Sequence, residues 1–306
     1  MVKVHLDTDL GGDIDDLCAL AMLLKWPGVE ITGITSVGDN KGKRAGYIKY
    51  ALKVAGRQDI PVKAGADVSL GCYRMELGLP KEENYWPEPV PPVENSLDEA
   101  LDLMKKNIED GAIVVGIGPF TNFSLLEQKH PGILKQAKLY LMGGYIYPPK
   151  EGYPNWGNNM DFNIQVDINS SKHVLENSSP LLIPLTVTIE TFLRRAYLDK
   201  LKSAGPLEKL LAHQTEEFAR EHKNEETYGK TCAKLPEDII NFQHDPLAVA
   251  IALGWREGIK TEKLPLKFEI KDSWLFEQID ASGKPVEVVT HIDGEKFSNY
   301  WLDLVA

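Results

Sequence analysis

Short apolar runs and longer amphipathic stretches take turns along this chain. Residues 2–6 form a strand-like run. Residues 15–26 (DDLCALAMLLKW) carry helical spacing, with two acids in the first turn where the macrodipole favours them, and Pro27-Gly28 stops the helix. A strand over 30–37 and a helix over 43–55, ended by Gly56, repeat the unit. Ser96 and Glu99 spell a capping box for a helix over 97–108. The pattern continues with a strand at 112–117, a helix at 122–129, a strand at 138–142, a helix at 170–176 and a strand at 181–186. A helix at 246–253, strands at 264–270 and 286–291 and a closing helix at 294–304 complete it. Such alternation predicts an α/β fold: an open, mostly parallel, doubly wound sheet with helices on both faces, and an active site at the C-terminal ends of the strands.

Three stretches break the rhythm: 68–95, 145–160 and 220–243. Loops this long inside a compact domain are usually functional lids or disordered inserts. No repeat or linker divides the chain, so 1–306 reads as one catalytic domain.

Composition narrows the partners more than the chemistry. Hydrophobic residues at 43% and charged residues at 26% are ordinary for a globular protein. A net charge of −11 leaves no basic excess for phosphates, so neither nucleic acid nor an anionic membrane is an expected partner, whereas a small substrate is. Cys18, Cys72 and Cys232 are odd in number and widely spaced, which fits a reducing cytoplasm better than a disulfide framework. The opening MVKVHLDTDL lacks the charge-then-apolar order of a signal peptide, and no apolar run approaches the roughly 20 residues that span a bilayer.

The densest chemical signal is DTDLGGDIDD, which places Asp7, Asp9, Asp13, Asp15 and Asp16 between the first strand and first helix. Carboxylates crowded at one point repel unless protons or a cation intervene, and oxygen donors without His or Cys favour a hard cation, calcium or magnesium. An EF-hand is excluded because its twelfth position is Cys18 instead of a bidentate Glu and no helix precedes the loop. A haloacid-dehalogenase reading, with Asp7 as nucleophile and Asp9 as acid, fits the following Gly-Gly-Asp-Ile-Asp-Asp poorly.

DTDLGGDIDDLCAL resembles the D-x-D-x-G…D-D-A-x-A-L signature of the inosine-uridine-preferring nucleoside hydrolase family. ITSVGDN (34–40), GIGPFTNFSLL (116–126), MGG (142–144) with DFN (161–163), and FQHDPLAV (242–249) agree with it in order and spacing. The resemblance covers nearly the whole chain and implies an open α/β fold, a bound calcium ion (Ca2+), and hydrolysis of ribonucleosides to ribose and free base. It implies calcium ligation by Asp9, Asp16, Asp245 and the main-chain carbonyl of Ile117. It implies sugar-hydroxyl contacts from Asp15, Asn40 and Asn163. Asp161 stands where the family usually has a Glu that reaches the 5′-hydroxyl, with Asn158 or Asn159 as its partner. Asp9 is then the expected general base and His244 the expected acid for the leaving base. A homodimer or homotetramer follows from the resemblance alone.

The chain also departs from the family. Its acidic loop is two residues longer than the shortest family form, leaving Asp13 without a role. The His-bearing segment near residue 80 is absent, so a pyrimidine site built on that histidine is not expected. Two alternatives stay open: hydrolysis of another N-ribosyl compound, and a non-catalytic nucleoside-binding protein with the same calcium pocket. Of the loop aromatics Tyr73, Tyr85, Trp86, Tyr145, Tyr147, Trp156 and Tyr228, none is singled out as a base contact.

Overall fold

A computed structural model describes residues 1–67 and 78–306. Its strands are β1 (Val2–Thr8), β2 (Val29–Ser36), β3 (Val62–Ala64), β4 (Ile113–Gly116), β5 (Lys138–Met142), β6 (Leu181–Ile183), β7 (Leu193–Arg194), β8 (Ile239–Asn241), β9 (Lys260–Lys271), β10 (Trp274–Ile279) and β11 (Lys284–His291). Nine form one sheet in the order β10-β9-β11-β6-β5-β4-β1-β2-β3, and β7 pairs with β8 separately. From β11 to β3 every pairing is parallel; β9 and β10 add an antiparallel edge.

The chain leaves β1 towards β2 and β3, then crosses back to β4 and continues the other way. Strand order therefore reverses between β1 and β4, the place in an open α/β sheet where a crevice opens beyond the strand ends. Burial follows the pleat: Val114 and Val115, adjacent on β4, belong to different apolar cores, one on each face. One face carries helices Asp15–Lys25, Pro206–His222, His244–Ala252 and Gly294–Val305; the other carries Leu97–Glu109, Thr121–Lys129 and Ile168–Asn177. The Ser96–Glu99 capping box forms as expected.

The differences from the sequence reading have local causes. The strand expected over 181–186 stops at Ile183, because Pro184 caps a short helix, Leu185–Thr188. The stretch 220–243 contains the end of helix Pro206–His222, a π-turn at Glu225–Gly229 and strand β8. Strand β10 follows β9 through Asp272 and Ser273, both at positive φ (50° and 60°), the two-residue arrangement that matches strand twist in a hairpin. Part of the long stretch 68–95, with Cys72 and Tyr73, lies outside the described residues. Among the described residues, no helix is long and apolar enough to cross a membrane.

Candidate functional site

The acidic loop leaves the end of β1 and runs into helix Asp15–Lys25. Gly11 sits at φ 106°, and a Cβ there would fall 2.5 Å from the Tyr47 ring, so the tight packing of this turn needs glycine. Across the switch point, Ile117 and Gly118 follow β4. A Cβ on Gly118 would approach Asp9 Oδ1 to 2.9 Å, so this glycine of the GPFTN segment leaves room for the carboxylate. The segment's Asn122 is buried and ties three strand ends together. Its amide nitrogen donates to Asp7 Oδ1 and to the Ser36 carbonyl, both at 2.8 Å, and its oxygen accepts from Ala66 N at 2.9 Å.

Asp245 arrives from 230 residues away in the first turn of helix His244–Ala252, which packs on helix Asp15–Lys25. The Asp245 amide donates to Asp15 Oδ2 at 3.3 Å. Asp15, Asp16 and Asp245 thereby present carboxylate oxygens all within 4.8 Å of one another, each residue buried. Two helix N-termini face the same point and favour negative charge there, though each supplies only partial charge. Burial and mutual repulsion push all three carboxyls well above the usual carboxylate range. Burial raises Asp9 to about 6, held back chiefly by the nearby Arg44 charge.

These groups line a cavity of about 350 Å³. Its lining combines the acids Asp9, Asp13, Asp15, Asp16 and Asp245 with the apolar side chains of Met142, Trp156, Phe162 and Leu185, and with His244. Oxygen donors alone, buried and repelling, are the donor set of a hard cation. The chemistry of the cluster therefore fits a bound divalent ion.

Several expected site residues meet here: Asp9, Asp15, Asp16, Ile117, Asn163, His244 and Asp245 all line the cavity. Asn163 donates to the Ile117 carbonyl at 3.0 Å, and a carbonyl has a second lone pair for another partner. Four others do not join them. Asn40 is solvent-exposed in a left-handed turn, and its neighbour Asp39 is buried, accepting hydrogen bonds from Ser36, Gly42 N and Ala45 N. Asn158 donates to the Leu275 carbonyl at 3.3 Å, and Asn159 is exposed. Asp161 is buried outside the cavity lining and accepts from Gly144 N at 2.5 Å.

His244 is fixed by Thr188. The Thr188 hydroxyl oxygen lies 2.6 Å from His244 Nδ1 and 3.0 Å from the Leu185 carbonyl, which holds the ring in place. Desolvation pushes this imidazole down to about 3, so it rests neutral. Trp156 packs edge-on against Phe242 and Tyr228, with centroids 5.1 and 5.5 Å away, and lies 6.3 Å from the His244 ring. Of the other loop aromatics, Tyr85 and Trp86 are core residues, Tyr145 donates to the Trp156 carbonyl, and Tyr147 is exposed.

Arg44 was not anticipated. It is 1% exposed, lines the cavity, and donates to three main-chain carbonyls: Gly38 at 2.8 Å, Gly78 at 3.0 Å, and Asp9. In the sequence it is one of three basic residues, with Lys41 and Lys43, at the start of helix Lys43–Val54, and nothing there sets it apart. Asp13, unassigned from sequence, accepts from the Asn241 side chain and from Ile14 N.

An α/β sheet with a cation-suited acid cluster at its switch point defines a class of enzyme that works on small molecules beyond the strand ends. Within that class the chain belongs to the inosine-uridine preferring nucleoside hydrolase family, whose profile matches residues 4–299. It is 30% identical over 264 residues to a pyrimidine-specific ribonucleoside hydrolase, RihA, of Salmonella arizonae, covering 81% of this chain and 78% of that protein. It is 27% identical over 303 residues to the RihA of Salmonella schwarzengrund, covering 95% and 88%. Its fold is similar to that of a purine-preferring ribonucleoside hydrolase from Gardnerella vaginalis (TM-score 0.79, 20% identity, 99% and 98% covered). It is also similar to a plant nucleoside hydrolase (TM-score 0.78, 18% identity, 99% and 98% covered). The protein is a hydrolase of N-glycosidic bonds, converting ribonucleosides to ribose and base.

Proposed function

We propose that the cavity binds a ribonucleoside with its sugar diol at the carboxylates and its base towards Trp156 and His244. Asp9, Asp16, Asp245 and the Ile117 carbonyl would hold a calcium ion, and one oxygen of Asp15 accepts the Asp245 amide while the other is left for a sugar hydroxyl. Bound there, calcium supplies neutralising charge and Lewis acidity towards water and the sugar hydroxyls. Asp9 takes a proton from the attacking water as the water oxygen bonds to the anomeric carbon. The C–N bond breaks with its electron pair passing to the base nitrogen, through an oxocarbenium-like state that the surrounding carboxylates favour. Nε2 of His244 faces the departing base; because the ring rests neutral, it delivers a proton only after gaining one. Asn163, braced on the Ile117 and Met142 carbonyls, completes the sugar contacts.

The observation that carries this reading is the meeting of Asp15, Asp16 and Asp245 in one cavity with Asp9 and His244. A homodimer or homotetramer in the cytoplasm belongs to the same reading, supported by family resemblance and by Cys18 and Cys232, which are free thiols. Incubating the calcium-loaded protein with purine and pyrimidine ribonucleosides and assaying reducing sugar tests it. Ribose release that chelation abolishes is expected; no release from any of them would sink it.

A further inference from the structure

Residues 145–157 form neither helix nor strand, yet they deliver Trp156 to the cavity lining. Among the described residues, the stretch 146–155 is hydrogen-bonded to the rest of the chain at two points. At one, the Gly152 carbonyl accepts from Lys234 N at 3.0 Å; Gly152 sits at φ 91°, and a Cβ there would fall 2.6 Å from the Lys234 side chain. At the other, the Lys150 ammonium donates to Glu190 Oε2 at 3.0 Å and lies 2.7 Å from Oε1 and 3.2 Å from His291 Nδ1. The pair is lopsided, because the Lys150 side chain is 45% exposed and that of Glu190 only 6%. Burial pushes the Glu190 carboxyl up and the Lys150 charge opposes it. Glu190 is also fixed from behind. Its carbonyl packs on Gly294 so closely that a Cβ there would overlap it, and it lies two residues beyond Thr188, which holds His244.

We propose that Lys150 is a positioning residue for the base-binding wall: its pair with Glu190 straps the 145–157 loop, and Trp156 with it, to the turn whose Thr188 holds His244. Both residues placed against the base, Trp156 and His244, are then referred to one short segment, 188–190. The inference rests on the orientation of the nucleoside proposed above. An ion pair between two exposed groups contributes little, but a buried carboxylate stripped of its counter-charge is strongly unfavourable. Without Lys150, Glu190 has two escapes: it takes up a proton, or water reaches it. Glu190 lines a groove together with Tyr153 of the loop and Lys234, the loop's other anchor. Hydrating it opens that groove. With one main-chain bond left at Gly152, displacing the loop is the easier escape, and Trp156 moves with it.

The test uses calcium-loaded wild type, Lys150→Met, Lys150→Arg and a double variant that joins Lys150→Met to Glu190→Gln. It follows KM and kcat for ribonucleosides, and hydrogen exchange of the 145–157 amides. Lys25→Met is the control, since Lys25 pairs in the same way with the buried Glu208 but joins two helices and holds no cavity loop. Lys150→Met should raise KM about tenfold with kcat changed less than about threefold, the mark of lost uniform binding. It should also speed exchange across 145–157. Lys150→Arg, which keeps the charge, and the double variant, which removes the stranded carboxylate, should both return KM and exchange towards wild type. Lys25→Met should leave both readouts unchanged. An unchanged KM in Lys150→Met, a double variant no better than the single one, or an equal rise in Lys25→Met overturns the proposal. Exchange does not depend on turnover. If no ribonucleoside is hydrolysed, faster exchange that Glu190→Gln reverses still supports the strap while the nucleoside reading falls; unchanged exchange overturns the strap itself.

Discussion

Replacing Asp245 with Asn sets two stabilities moving in opposite directions. Asp15, Asp16 and Asp245 bring oxygens within 4.8 Å of each other. At that spacing and an effective dielectric near 20, two unit charges repel by about 3 kcal/mol, so Asp245 facing both neighbours ionised would bear about twice that. The cation-free protein has a cheaper escape, since protonating one carboxyl of ordinary value near 4 costs about 4 kcal/mol at pH 7. The smaller figure sets the ceiling. The asparagine variant should therefore be more stable than wild type without cation by about 2–4 kcal/mol at pH 7, or several degrees in Tm. The sign follows from the raised carboxyls: the fold holds protons that the unfolded chain releases above about pH 4, so wild type loses stability as pH climbs and the variant loses less. With calcium that lead shrinks. Wild type gains about 4 kcal/mol when the ion is at a thousand times its Kd, and the variant, short of one ligand, gains less. Thermal unfolding at pH 5, 6, 7 and 8, in chelator and in calcium, measures both. A variant less stable than wild type in chelator throughout, or equal calcium shifts in both proteins, would refute the account.

Two further outcomes follow from the cavity wall. As His244 is the proposed proton donor to the departing base, His244→Ala should slow nucleosides with poor leaving bases at least about tenfold while sparing an activated riboside. The wild-type kcat profile should show no limb near pH 6.5 that the variant lacks, and finding one contradicts an imidazole held neutral by burial. Arg44→Met removes three charge-assisted bonds to main-chain carbonyls, two of them buried, and should lower stability by about 3 kcal/mol in urea unfolding. A change within about 0.5 kcal/mol, the scale of an ordinary surface substitution, would show that these bonds are replaced by water.

The fold was legible wherever strands were apolar and helices well signed, as with Ser96 and Glu99 or the run from Asp15 to Trp26. Strand β10 was not, because its turn is Asp272-Ser273 instead of the Asn-Gly or Asp-Gly that usually marks a hairpin. Helix Pro206–His222 hid behind its polar face, since only Leu207, Leu210, Leu211, Phe218 and a few neighbours are buried. At the site, the acidic turn after β1 was legible as a crowd of carboxylates, whereas Ile117 after β4 and the His244-Asp245 pair came from the resemblance, the helix there having been expected only from residue 246. Asn40 and Asp161 were placed by resemblance too, and both lie outside the cavity lining for local reasons no pattern encodes: a left-handed turn at Asn40, and the amide of Gly144 on Asp161. Arg44 went unseen for the converse reason, as its partners are main-chain carbonyls and carry no side-chain signature.

The acid cluster joins the first strand-to-helix turn with a helix 230 residues later. A nascent chain carries Asp15 and Asp16 long before Asp245 emerges, so early in synthesis the half-site offers too few donors to grip an ion. Cation capture then reports that the intervening sheet has closed correctly. An ion seated there acts as a late staple across most of the polypeptide, resisting the reopening of a loop whose closure is entropically among the more demanding in the molecule.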